Sequence, residues 1–185
     1  MVAHVLPCWM DSIIPNRLAA VGIAALVGLG GCTSPPDLHV SEGAPLLFRA
    51  KAEGVLIYEC QGVDPNIWTY RGTDATLLDE RSQRIGVHDF YFSRAAKASW
   101  TLQDGSSVSG EIIQKAMDQK DKEIPSLLFA VRSHAGAGAL SKVESIRQIE
   151  PKGGIPPTVM CSPMNAILRV PFTAVLQFYG AGASG

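Results

Sequence analysis

Histidine, cysteine and clustered charge are all scarce in this chain of 185 residues. Of its 4 histidines only His88 and His134 fall where a domain core can form, and no His-x-x-x-His spacing occurs. The usual two-histidine metal face is therefore missing, and neither a metal site nor a cofactor is expected. The 4 cysteines contain no Cys-x-x-Cys pair, which removes thioredoxin-type redox chemistry. With 16 basic and 17 acidic residues and no basic cluster, the chain offers no footprint for nucleic acid. Gly105-Ser106-Ser107 starts like the Gly-x-Ser-x-Gly elbow of hydrolases and does not complete it. Gly136-Ala137-Gly138 lacks the third glycine of a dinucleotide loop. No segment repeats with a period of about 20–50 residues, so solenoids and propellers are excluded.

What is present begins with an address. Leu18–Leu29 is an unbroken apolar run of 12 residues preceded by Arg17. As a helix it would rise about 18 Å, too short for a hydrocarbon core of roughly 30 Å. That length suits the hydrophobic region of a secretory signal peptide. Leu29-Gly30-Gly31-Cys32 follows and resembles the lipobox of bacterial lipoproteins. The resemblance implies that residues 1–31 are removed and that Cys32 becomes the acylated N-terminus. Anchoring in a membrane of the cell envelope follows, because several acyl chains exceed the two-signal threshold for stable attachment. Thr33, not Asp, stands after Cys32, which points to the outer membrane. The stretch before Arg17 is long and nearly uncharged, so Met10 is a second candidate start. Residues 32–44 read as the lipidated end and a polar tether stiffened by Pro35-Pro36, residues 45–180 as the domain, and 181–185 as a flexible tail.

With Cys8 in the leader and Cys32 lipidated, Cys60 and Cys161 remain in an oxidising compartment. They are expected to pair; the alternative is two buried free thiols. A bridge between them closes a loop of about 100 residues and contributes about 4–5 kcal/mol in the chain-entropy picture.

The domain itself reads as short strands separated by turn residues. Gly54–Cys60 is an apolar, β-prone run, and Ile67–Tyr70 is a second, bounded by Asp64-Pro65-Asn66 and Gly72. Asp74–Arg84 is polar and reads as a loop or a single turn. In Ile85–Phe92, alternation puts His88, Phe90 and Phe92 on one face and Ile85, Val87, Asp89 and Tyr91 on the other. Ala98, Trp100 and Leu102 alternate with polar neighbours up to Asp104-Gly105, which predicts a hairpin with a type I′ turn and a return strand to about Met117. Ile112, Ile113 and Ala116 also have helical spacing, the one competing reading. Ile124–Val131, Val143–Ile149 (with Arg147 exposed) and Val170–Phe178 complete the set, and Gly153–Pro157 forms a rigid loop leading to Cys161. The expectation is an all-β fold: a single antiparallel barrel or sandwich of about 7–9 short strands, stapled by one disulfide.

In order along residues 44–180, Gly54–Cys60, Gly86-Val87-His88, Trp100, Asp104-Gly105-Ser106, Ile124-Pro125, Gly136–Leu140, Ile146–Ile149, Gly153-Gly154, Pro157, Cys161 and Val170–Ala174 are similar to the DUF3455 family of secreted bacterial and fungal proteins. The resemblance implies that Cys60 and Cys161 belong together. It implies no activity. One position departs from the family pattern: Ser126 stands where a Trp often follows the Ile-Pro pair.

Two functional expectations follow. The favoured one is a non-enzymatic envelope lipoprotein, its membrane contact made by the lipid, whose β-domain binds a small molecule, glycan or protein partner. The candidate pocket comprises Trp68, Tyr70, His88, Asp89, Tyr91, Trp100 and Asp104, aromatics interrupted by polar groups. More often such aromatics are simply core and rim packing. The alternative is an extracytoplasmic hydrolase or metal-dependent enzyme centred on His88 and Asp89. That reading requires His88, His134 and a carboxylate to meet in one pocket.

Overall fold

The computed structural model describes residues 38–62, 65–91, 97–117 and 123–182. The apolar run Leu18–Leu29, Cys8, Cys32, Thr33–Asp37, Phe92 and the charged stretch 118–122 lie outside them. Eight antiparallel strands follow one another around a closed barrel: β1 (Leu46–Gln61), β2 (Ile67–Leu78), β3 (Arg84–Tyr91), β4 (Ala98–Leu102), β5 (Ser107–Ala116), β6 (Ser126–Ala135), β7 (Ser145–Gly153) and β8 (Ile167–Tyr179). Each pairs with the next, and β8 returns to β1, so no strand edge is left open. Between β6 and β7 lies a single 3-10 turn, Ala139–Lys142. Among the described residues, no helix is long and apolar enough to cross a membrane.

Period-two alternation builds the interior. On β4, Ala98, Trp100 and Leu102 are buried while Ser99 and Thr101 face out. On β8, Phe172, Ala174, Leu176 and Phe178 point inward together. Ala50, Ala52, Leu56, Tyr58 and Cys60 do the same on β1. Gly54 takes an inward position in that series because nothing larger fits. A Cβ there would sit 2.1 Å from the Asp74 carbonyl oxygen, so glycine permits the close approach of β1 and β2.

Cys60 and Cys161 form the disulfide. Their Cα atoms are 5.6 Å apart, an ordinary span for a bridge. The neighbourhood is tied by backbone bonds as well: Asn165 N–H donates to the Cys60 carbonyl and Cys161 N–H to the Asn66 carbonyl.

The structure differs from the sequence reading at four places. Asp74–Arg84 is not a loop, since β2 continues to Leu78 with Ala75 and Leu77 buried. The polar residues there belong to the outer wall, and the turn is confined to 79–83. Asp79 builds that turn, its carboxylate accepting the N–H groups of Arg81 and Gln83 at 2.9 and 2.8 Å. The β4–β5 connection is not a two-residue type I′ turn. Gly105 alone has a positive φ, +85°, while its N–H donates to the Leu102 carbonyl and Leu102 N–H donates to Ser106. This is a three-residue loop with glycine at its left-handed position. The strands are not uniformly short either, since β1 has 16 residues and β8 has 13. Finally, the tether is held from residue 38 onward. Leu38 is only 3% exposed, its carbonyl accepts from Arg147, and His39 N–H donates to the Gln114 side chain. Arg147 is consequently half-buried, bonded also to Gln177.

Odd-numbered strands run toward one end of the barrel, here termed the upper end. The lower half is filled by large side chains, including Leu77, Trp100, Leu140, Ile146, Leu176 and Phe178, each fully buried. The upper half is not filled.

Candidate functional site

A cavity of about 260 Å³ occupies the upper interior. Seven strands contribute inward side chains to its inner wall: Leu56 and Tyr58 from β1, Tyr70 and Thr73 from β2, His88 and Phe90 from β3, Ala98 from β4, Phe129 from β6, Gln148 from β7 and Phe172 from β8. Ile112 and Lys115 of β5, both exposed, carry it to the surface. Around this end stand further exposed apolar residues. Ile67, Met117, Val159, Met160, Met164 and Ile167 are 54–71% exposed.

The wall is mostly apolar, with few polar groups, and most of those have protein partners. Tyr58 Oη donates to the Gly154 carbonyl at 2.7 Å. Tyr70 Oη and Thr73 Oγ1 share a hydrogen bond of 2.6 Å. Gln148 Nε2 donates to the Pro125 carbonyl at 3.4 Å. Burial pushes the Tyr70 phenol up to about 12, partly offset by its bond to Thr73, and it raises Tyr58 too. Both phenols stay neutral at pH 7.

His88 forms part of the floor. It is 4% exposed and lies flat against Trp100, with ring centroids 4.6 Å apart and planes 4° from parallel. The β3–β4 register sets this stack, because His88 and Trp100 are directly opposite one another. Phe129 closes the cluster edge-on, 5.0 Å from Trp100. His88 Nδ1 lies 2.9 Å from the Ser99 carbonyl oxygen. A carbonyl only accepts, so Nδ1 carries the proton and Nε2 the lone pair. Burial lowers the His88 pKa to about 4, against a smaller opposing effect of the Ser99 bond, so the ring is neutral at pH 7. Trp100 Nε1 has no acceptor among the described residues.

The family described as "Protein of unknown function (DUF3455)" matches residues 41–180, which span all eight strands. The chain belongs to the DUF3455 family. No curated protein and no solved structure shows significant similarity to it.

In this DUF3455 barrel the residues singled out from sequence occupy different places. Tyr70 and His88 line the cavity. Trp68 is half-buried against the core above it, and Trp100 lies beneath the floor behind His88. Asp89 follows His88 on the same strand and therefore faces the outside, where burial and nearby Asp74 raise its carboxyl pKa. Tyr91 is exposed at the upper end. Asp104 is at the lower end. Its carboxylate accepts from the Ser106 hydroxyl and N–H and from Ala139 N–H, contacts that lower its pKa and tie the β4–β5 loop to the 3-10 turn.

His134 bonds through Nε2 to the Val143 carbonyl, also at the lower end. His88, His134 and a carboxylate thus have no common meeting point. Among the described residues no three His, Cys, Asp or Glu side chains are placed to hold a metal ion. Thr73, Phe129, Gln148 and Phe172 of the DUF3455 wall were not singled out from sequence. Phe172 shares the apolar face of the last strand, a visible signal. Thr73 and Gln148 are polar residues at inward positions, and only the closed register reveals them.

Proposed function

We propose that this protein is a binding protein of the cell envelope, lipid-anchored through Cys32, whose barrel holds one small, largely apolar molecule. The observation that carries the reading is the contrast between the two halves of one barrel. An eight-stranded barrel has an interior just wide enough to be filled by side chains or to hold one small ligand. The lower half of this one is filled. The upper half leaves about 260 Å³, well above the ~150 Å³ that admits a benzene ring. A concave apolar wall with a few placed polar groups is the common form of a small-molecule site. The largely apolar rim supports the same reading, with Lys115 the one charged side chain among the residues that line the cavity and its mouth. Support for the envelope address comes from Leu29-Gly30-Gly31-Cys32 and from the Cys60–Cys161 bridge, which belongs in an oxidising compartment.

The test is a fluorescence titration with 1-aminoanthracene, an apolar reporter that brightens out of water. Saturable one-to-one uptake is expected. Ala98→Leu, which narrows the cavity without touching its polar groups, should weaken it at least severalfold. Absence of uptake, or uptake indifferent to Ala98→Leu in a folded variant, would overturn the proposal.

A further inference from the structure

One hydrogen-bonding atom on the cavity wall stands apart from the rest. Tyr58 O–H is given to Gly154, one of the two Gln148 N–H groups to Pro125, and the Tyr70 and Thr73 hydroxyls bond each other, while His88 gives its Nδ1–H to Ser99. What His88 presents instead is a lone pair. Nε2 has no hydrogen-bond partner among the described residues, and His88 is part of the cavity wall. The ring cannot swing to find one, since it is stacked on Trp100, edged by Phe129 and tied through Nδ1. It remains neutral at pH 7, so the lone pair is kept. Nε2 is not sealed in as Trp100 Nε1 is, so a donor on a molecule in the cavity can reach it and add a hydrogen bond.

We infer that the ligand is a largely apolar, uncharged molecule bearing a hydroxyl, a phenol or an alcohol rather than a plain hydrocarbon or ether, and that it donates this hydroxyl to Nε2 of His88. The inference rests on the cavity being a binding site and goes further by naming the chemistry that the site selects. A hydrocarbon in the same space would leave Nε2 unpaired. An ether oxygen would set one lone pair against another. A hydroxyl answers the lone pair and leaves the rest of the molecule to the apolar wall.

The test compares 2-naphthol, naphthalene and 2-methoxynaphthalene as probes of the purified protein, read by calorimetry or ligand fluorescence. In the wild type, 2-naphthol is expected to bind more tightly than either of the others. His88→Phe keeps a flat ring against Trp100 and removes the acceptor. It should cost 2-naphthol on the order of three- to tenfold in affinity, the worth of one hydrogen bond, while leaving naphthalene unchanged or slightly improved. A second measurement needs no variant: on 15N-histidine-labelled protein, the unprotonated Nε2 resonance of His88 should move upfield with 2-naphthol and stay in place with naphthalene. Equal affinities together with a still Nε2 signal would overturn the inference and leave the cavity reading intact. A 2-naphthol preference that survives His88→Phe would also overturn it, by placing the acceptor elsewhere. If none of the probes binds, the cavity reading falls and this inference with it.

Discussion

Acidification should destabilise this barrel chiefly through His88. The folded state holds His88 at a pKa of about 4, against 6.5 for an unburied histidine, because burial penalises the imidazolium. Above pH 6.5 the ring is neutral in both the folded and unfolded chain, and no penalty applies. As the pH falls below 6.5 the unfolded chain takes up a proton that the folded chain refuses, so the unfolded state gains. The loss of stability accumulates down to about pH 4, where the folded state begins to protonate as well, and reaches about 3 kcal/mol. That is a large share of the 5–15 kcal/mol typical of a domain. The assay is urea unfolding at pH 7, 5.5 and 4 for the wild type and His88→Phe. Asp89, with its raised pKa, and Asp104, with its lowered one, titrate at the low end in both proteins and cancel in the comparison. The wild type should lose about 3 kcal/mol more than the variant between pH 7 and pH 4. Parallel pH profiles would refute the reasoning, since they would mean that the ring gains its proton without leaving its place.

Three other perturbations have definite outcomes. Replacing both Cys60 and Cys161 by alanine reopens a 101-residue separation, which costs about 4–5 kcal/mol in the chain-entropy picture. For a domain of about 140 residues this lowers Tm by roughly 15 °C in calorimetry, and a drop below about 3 °C would exclude that mechanism. Gly54→Ala drives a methyl into the β2 backbone and should cost about 3 kcal/mol or more, or prevent folding. Gly105→Ala has open space around it and pays only for its left-handed φ, about 1–2 kcal/mol, so urea midpoints should rank the two variants in that order. Cys32→Ser should move the protein from the membrane fraction to the soluble fraction and remove the acyl mass from its intact mass spectrum. Unchanged membrane partition without acylation would exclude the lipid anchor.

How much of this was legible in the sequence depended on whether the signal was local. Alternation in Ala98–Leu102 and Val170–Phe178 announces strands because inside and outside differ sharply there. It is weaker in Asp74–Leu78, where Ala75 and Leu77 are the only inward residues among polar ones, and that half of β2 passed for a loop. Asp104-Gly105 correctly marked a turn, but turn type depends on how many residues have positive φ, and the dipeptide alone leaves that open. The pairing of Cys60 with Cys161 followed from removing the other two cysteines by address. The same alternation that set His88 inward set Asp89 and Tyr91 outward. The cavity had no local signature at all. Its walls come from ten inward positions on seven strands, spread from Leu56 to Phe172, and its volume is a property of barrel closure.

The boundary between the filled and open halves is the His88–Trp100 stack, and it raises a question of cost. Phenylalanine at position 88 would stack on Trp100 equally well and would bury more apolar surface. It would also avoid the acid penalty and leave no lone pair without a partner. Stability alone therefore favours phenylalanine, and the bond from Nδ1 to Ser99 offsets only part of the difference. The lower core keeps to the stability rule at most of its largest positions, with Leu77, Ile146, Leu176 and Phe178 all apolar and Trp100 Nε1 the polar atom left over. His88 breaks that rule at the one level of the barrel where a side chain meets open space. A lone pair held rigid and neutral at the cavity wall is therefore the feature that most supports the proposed receptacle role, and the floor carries that argument further than the apolar wall does.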